Sequence, residues 1–282
     1  MKLVRYGAAG LEKPGILEGD DTIRDLTGIV PDIAGDVLSE NGLAKLAALD
    51  LKKLPKVSGQ PRLGPPVSGI RNFVCIGLNY SDHAVETGAT PPNEPIVFLK
   101  SLSALSGPDD PIVIPRNSRK TDWEAELAIV VGTKASNVAE ADALRHIAGY
   151  TICNDVSERE WQNERGGAWD KGKGFDSFGP LGPWLVTRDE VRDPHDLQLF
   201  LDVDGQRMQS GSTSKMIFGV PALLSYVSQC ITLYPGDIIS TGTPPGVGLG
   251  KKPPKFLAPG SIVRLGISGL GEQRHETRKV RP

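Results

Sequence analysis

The sequence predicts an α+β chain that is mostly β, with a small N-terminal α+β domain over residues 1–70 and a strand-rich domain over 71–282. Three observations carry this. The chain holds 33 Gly and 23 Pro among 282 residues, well above average usage, so turns punctuate it throughout. Short apolar runs recur between those turns from Asn72 onward. Strands do not alternate with long helices as a doubly wound sheet requires, and no repeat of fixed period occurs.

Residues 2–6 alternate in the manner of a strand, and residues 34–49 space their apolar side chains as a short helix does. The Pro-, Gly- and Ser-rich stretch 54–66 then breaks both periodicities and reads as a linker, which sets the boundary near residue 70. Strands are predicted at 73–76, 96–99, 112–114, 127–131, 150–153, 197–203 and 262–267, and helices near 139–147, 158–164 and 221–229. Punctuation is densest over 235–260, where 12 of 26 residues are Gly or Pro. Such a segment is either a plain connection or a shaped loop over a site.

Composition excludes several function classes. Lys and Arg number 32 against 34 Asp and Glu, a net charge of -2, whereas nucleic-acid binders normally carry a basic excess or stripe. Cys75, Cys153 and Cys230 are odd in number, far apart and form no CxxC, so a disulfide framework or zinc finger is not expected and a cytoplasmic setting is. The first residues carry charges where a signal peptide needs an apolar core, and no run approaches the roughly 18 apolar residues of a membrane span. No membrane partner is expected.

Chemistry concentrates in a few segments. If residues 122–131 form a strand, Glu124 and Glu126 point the same way just before it enters the core. Two acids so close repel unless a cation sits between them, the plain alternative being two solvated acids at a strand end. Asp155 falls where the apolar run 150–153 meets a polar stretch, and Ser157 with Glu160 has capping-box spacing. An ordinary helix-start acid is its bland reading. Three carboxylates with no His or Cys cluster suit a hard divalent cation, magnesium first and manganese second. His83 and Glu86 lie three apart, so on one helical turn the glutamate would orient the histidine as a base, though an exposed ion pair has the same spacing. The following residues 87–95 have the make-up of a mobile lid. Residues 241–250 are a glycine loop whose amides could approach an anion, without the ending of a nucleotide P-loop. Arg159 and Gln162, one helical turn apart, are candidate partners for substrate oxygens.

Five ordered motifs extend these readings: Gly77-Leu78-Asn79-Tyr80-Ser81-Asp82-His83, Asp122-Trp123-Glu124-Ala125-Glu126-Leu127, Asn154-Asp155-Val156-Ser157-Glu158-Arg159, Lys171-Gly172-Lys173-Gly174-Phe175-Asp176 and Gly242-Thr243-Pro244-Pro245-Gly246-Val247-Gly248. Over roughly residues 70–270 the chain resembles the fumarylacetoacetate hydrolase superfamily. The resemblance implies a mixed β-roll or sandwich core, a homodimer and bound magnesium (Mg2+) or manganese (Mn2+). It makes Glu124, Glu126 and Asp155 the metal ligands, His83 with Glu86 the water-activating dyad, and Lys173 the active-site lysine. Thr243 is assigned to the substrate's carboxylate, and Tyr80 joins Arg159 and Gln162 in the substrate-binding set. The implied reaction is metal-assisted cleavage of a carbon–carbon bond in a small 2,4-dioxo acid, an acylpyruvate or a 2,4-diketo-3-deoxy sugar acid, giving pyruvate and a carboxylic acid. The nearest alternatives are a ureidoglycolate lyase and a metal-binding scaffold without catalysis.

Overall fold

The structure, a computed structural model, describes residues 1–19, 22–88 and 90–280. All seven apolar runs predicted after residue 72 form strands, as buried period-two or fully apolar segments should. The chain is mostly β with scattered short helices, as predicted. The main sheet runs in the order Thr22–Asp25, Lys13–Glu18, Lys2–Tyr6, Gly179–Thr187, Ile147–Asn154, Ala125–Val131, Ile238–Ser240, Phe73–Gly77, Ile96–Leu99, with Leu105–Ser106 pairing off this path. A second sheet orders Gln206–Ser212, Gln198–Val203, Ile262–Ile267, Gly271–Lys279 and Ile112–Ile114.

The strand Ala125–Val131 lies deep in the main sheet and is buried on both faces. Its odd-numbered residues, Ala125, Leu127, Ile129 and Val131, join Leu199, Leu201, Val263 and Leu265 of the second sheet and Leu223 of the helix Val220–Cys230. Its even-numbered Ala128 and Val130 pack instead with Leu3, Ile16, Leu26 and Leu38 from the N-terminal region. Burying each such side chain contributes roughly 1.5–3 kcal/mol, so the strand is a stiff support for anything at its start. The N-terminal seventy residues extend the main sheet, because Lys2–Tyr6 pairs antiparallel with Gly179–Thr187.

Several elements depart from expectation for identifiable reasons. Gly179–Thr187 carries Pro180 and Pro183, residues that argue against an inner strand, but its pairing with Ile147–Asn154 shifts register between Tyr150 and Ile152, and an irregularity of that kind tolerates proline. Gly271–Lys279 buries Gln273, His275 and Thr277, so its inward face is polar and gives no apolar alternation. The helix predicted near 139–147 is a 3-10 segment, Glu140–His146, and that near 158–164 is a π-helical turn, Glu160–Glu164. No capping box forms at Ser157, whose hydroxyl donates to the Asp155 carbonyl. No described helix is long and apolar enough to cross a membrane.

Candidate active site

Strand register brings the three acids together. Glu126 lies in Ala125–Val131 and Glu124 just ahead of it, while Asp155 follows Ile147–Asn154. These strands pair with Asn154 opposite Ala125, and the Asp155 amide donates to the Glu124 carbonyl at 2.9 Å. A separation of some thirty residues along the chain is thereby closed. One carboxylate oxygen from each of Glu124, Glu126 and Asp155 lies within 4.8 Å of the others, and all three side chains are buried.

The protein itself supplies cations that offset much of their repulsion, and neither Glu124 nor Glu126 is solvated. Lys173 Nζ lies 2.6 Å from Glu124 Oε2 and 2.7 Å from Asp155 Oδ2. Arg159 bridges Glu124 Oε1 at 2.7 Å and Asp122 Oδ2 at 2.8 Å, and Lys100 Nζ reaches Asp155 Oδ1 at 2.5 Å. Burial alone would raise the Glu124 carboxyl, but Lys173 and Arg159 outweigh it and hold it down at about 2. Glu126 receives neutral donors, the Ser240 hydroxyl at 2.6 Å and the Gly242 amide at 2.9 Å. Burial, then Asp155 and Glu124, push its carboxyl well up. Three hard oxygens this close fit a divalent cation of the magnesium or manganese type.

His83 and Glu86 occupy one turn of the helix Ser81–Thr87, with His83 Nδ1 3.0 Å from Glu86 Oε2. A carboxylate can only accept, so Nδ1 carries the proton of this contact, and the neutral ring then has its lone pair on Nε2. Glu86 also accepts the Gly246 amide, at 3.0 and 3.1 Å. Gly246 needs to be glycine, since its φ is +109° and a Cβ would sit 2.1 Å from the Met208 carbonyl. The loop amides of Gly248 and Leu249 donate to Asp122, at 2.6 and 2.9 Å. With Gly242, four amides of the glycine loop therefore bind protein carboxylates, where the sequence suggested an anionic ligand.

A cleft of about 230 Å³ gathers His83, Glu124, Glu126, Arg159, Gln162, Lys173 and Thr243 on one surface. Glu86 sits against His83, and Asp155, which does not line the cleft, is bonded to Lys173. Arg159 donates to Gln162 Oε1 at 2.9 Å, so the predicted pair is in contact across the π turn. Lys173 ends the short helix Asp170–Lys173, which approaches that turn closely because a Cβ on Gly172 would lie 2.6 Å from the Gln162 amide nitrogen. Thr243 Oγ1 donates to the Ala125 carbonyl at 2.9 Å and accepts from Gln209 at 2.8 Å. Tyr80 is set apart: it has 0% exposure, does not line the cleft, and its buried hydroxyl has no hydrogen-bond partner among the described residues. Of the predicted lid, Ala89 lies outside the described residues, and Gly88 ends the helix in the left-handed region.

Four contributors went unassigned in the sequence. Phe98 and Trp169, edge to face at 5.5 Å, form an apolar wall of the cleft. Asp122 organises the loop and Arg159, and Lys100 supports Asp155. The one signal for Lys100 is weak: a lone cation closing the apolar run 96–99, on the same strand face as Phe98.

The family described as fumarylacetoacetate (FAA) hydrolase C-terminal matches residues 72–278. A Burkholderia multivorans protein carrying a provisional hydrolase name is 61% identical over 282 residues, covering 100% of both chains. Two solved structures are similar along the whole chain. One is a fumarylacetoacetate hydrolase from psychrophilic Exiguobacterium antarcticum, with TM-score 0.87 and 35% identity over 99% of this chain and 100% of that one. The other is a maleylpyruvate hydrolase from Sphingobium sp. SYK-6 in complex with manganese(II) and pyruvate, with TM-score 0.83 and 30% identity over 100% of both.

Proposed function

The chain belongs to the fumarylacetoacetate hydrolase family, and on that premise we propose that it hydrolyses a carbon–carbon bond of a small 2,4-dioxo acid, releasing pyruvate and a carboxylic acid. The observation that carries this reading is the sharing of one cleft by an oriented histidine and two acids, Glu124 and Glu126, of a buried acidic triad that Asp155 completes. The manganese and pyruvate bound to the maleylpyruvate hydrolase support it. Glu124, Glu126 and Asp155 would hold magnesium or manganese. Such an ion supplies Lewis acidity to the carboxylate and 2-oxo oxygens of a chelating substrate.

The remaining chemistry belongs to side chains. His83, held by Glu86, takes a proton from a water whose oxygen attacks the 4-oxo carbon. The bond between carbons 3 and 4 breaks, its electron pair passes into the pyruvate enolate, and protonation at carbon 3 completes pyruvate. Lys173 hydrogen-bonds the developing enolate oxygen, an electrostatic contribution of several kcal/mol in comparable sites. Arg159 and Gln162 fix substrate oxygens, and Thr243 meets the carboxylate if its hydroxyl turns from the Ala125 carbonyl. Phe98 and Trp169 exclude water from the acyl end.

Incubation with an acylpyruvate, and separately with ureidoglycolate, with and without Mg2+ or Mn2+, tests the reading. Metal-dependent pyruvate release is expected; urea release alone would sink it. A homodimer is part of the same proposal and is supported by the outer strand Ile96–Leu99 with exposed Leu99 and Leu102. Light scattering should return twice the chain mass.

A further inference from the structure

Lys100 has no part in the chemistry above, yet its side chain is 0% exposed. Burying an ammonium costs several kcal/mol unless anions and hydrogen bonds offset it, so its placement requires a cause. Its Nζ lies 2.5 Å from Asp155 Oδ1 and 3.1 Å from the Val156 carbonyl. Asp155 is thus held on both oxygens, because Lys173 Nζ takes Oδ2 at 2.7 Å. The two lysines differ in access. Lys173 lines the cleft and Lys100 does not, so a ligand entering meets the first and not the second. Lys100 is also tied to the backbone immediately after Asp155, which fixes the ammonium relative to the chain carrying that carboxylate.

Resting on the reading of Glu124, Glu126 and Asp155 as a divalent-cation site, we infer that Lys100 is a positioning residue that holds Asp155 Oδ1 from the protein side and so fixes the orientation of that carboxylate for the cation. Two effects of opposite sign separate this from a simple charge. A fixed positive charge beside a ligand carboxylate repels a dication, so its loss should tighten binding. A clamp that orients the carboxylate strengthens binding, so its loss should weaken it.

Calorimetric titration of the full-length protein with Mn2+, without substrate, reads the sign directly. Lys100→Met is expected to bind Mn2+ about 10–100-fold more weakly. In an Asp155→Asn background the same replacement is expected to change affinity by less than about twofold, because the carboxylate it positions is gone. Lys100→Arg keeps the charge but moves the donors, and weaker Mn2+ binding is expected there too; this variant carries the test if circular dichroism finds Lys100→Met unfolded. Unchanged or tighter binding in a folded Lys100→Met, unchanged binding in Lys100→Arg, or equal losses with and without Asp155 would each overturn the inference. Absence of Mn2+ binding by the unaltered protein would instead overturn the cation site itself, and the inference with it.

Discussion

Glu86 joins two parts of the site that are far apart in sequence, since one carboxylate holds the His83 ring and accepts the Gly246 amide. Glu86→Ala is expected to lower kcat for pyruvate release about 10²–10⁴-fold, the range of a general-base contribution. Mn2+ affinity should stay unchanged, because Glu86 bonds none of the three acids; a parallel loss in calorimetry would show that dyad and ligand set are not separable. Tyr150 bears on stability alone. Burial, with a smaller push from Asp193, raises its phenol to about 12 despite the opposing Arg188. The unfolded chain loses that proton near pH 10, so the stabilisation is complete below pH 10 and is lost as pH rises towards 12, by about 2–3 kcal/mol. Urea unfolding of Tyr150→Phe across this interval should show a shallower decline than the unaltered protein; parallel declines would remove Tyr150 from the account. At this scale the sequence singled out His83, Glu86 and the three acids, which the fold brings together, but type and spacing left their bland readings open and the family resemblance supplied the roles. Lys100 was not singled out, because only folding brings a lysine at the end of an apolar run against Asp155.

Among the elements, the glycine loop shows what a local pattern can hide. Its composition left a plain connection or a shaped loop open, and residue types alone could not say which acids take its amides. Asp122 takes two of them, Gly248 and Leu249, and also accepts from Trp123 while pairing with Arg159. Asp122→Ala leaves a buried guanidinium with one partner fewer and two loop amides without theirs. The expected cost is about 3–5 kcal/mol in denaturant unfolding, as for breaking a buried ion pair from one side. A cost below about 1 kcal/mol would mean that the loop and Arg159 are held without it. The π turn Glu160–Glu164 was misread as an ordinary capped helix for a related reason. Ser157 and Glu160 have the right spacing, but Ser157 and Glu158 are taken up in pairing with Thr121–Asp122, which leaves the turn to begin at Arg159.

The largest divergence between sequence and structure concerns the whole molecule. Linker composition at 54–66 suggested that the first seventy residues stand apart, and the family match does begin at residue 72. The main sheet nevertheless runs through that point, and Leu3, Ile16, Leu26, Ile33, Leu38 and Leu46 cover the face that Ala128, Val130, Ala148, Leu185 and Ile238 present. Composition reports where a chain bends, not whether the two sides share a core. The strand bearing Glu126 owes one of its two buried faces to the N-terminal region, so site geometry depends on residues far from any catalytic motif. A chain beginning at residue 71 would expose that face and free the edge of Gly179–Thr187, a combination that favours aggregation. Its expected behaviour is insolubility or a non-cooperative melt without Mn2+ binding. A soluble fragment 71–282 with a single cooperative transition and Mn2+ affinity within a few-fold of the full chain would establish that the catalytic region carries its own complete core.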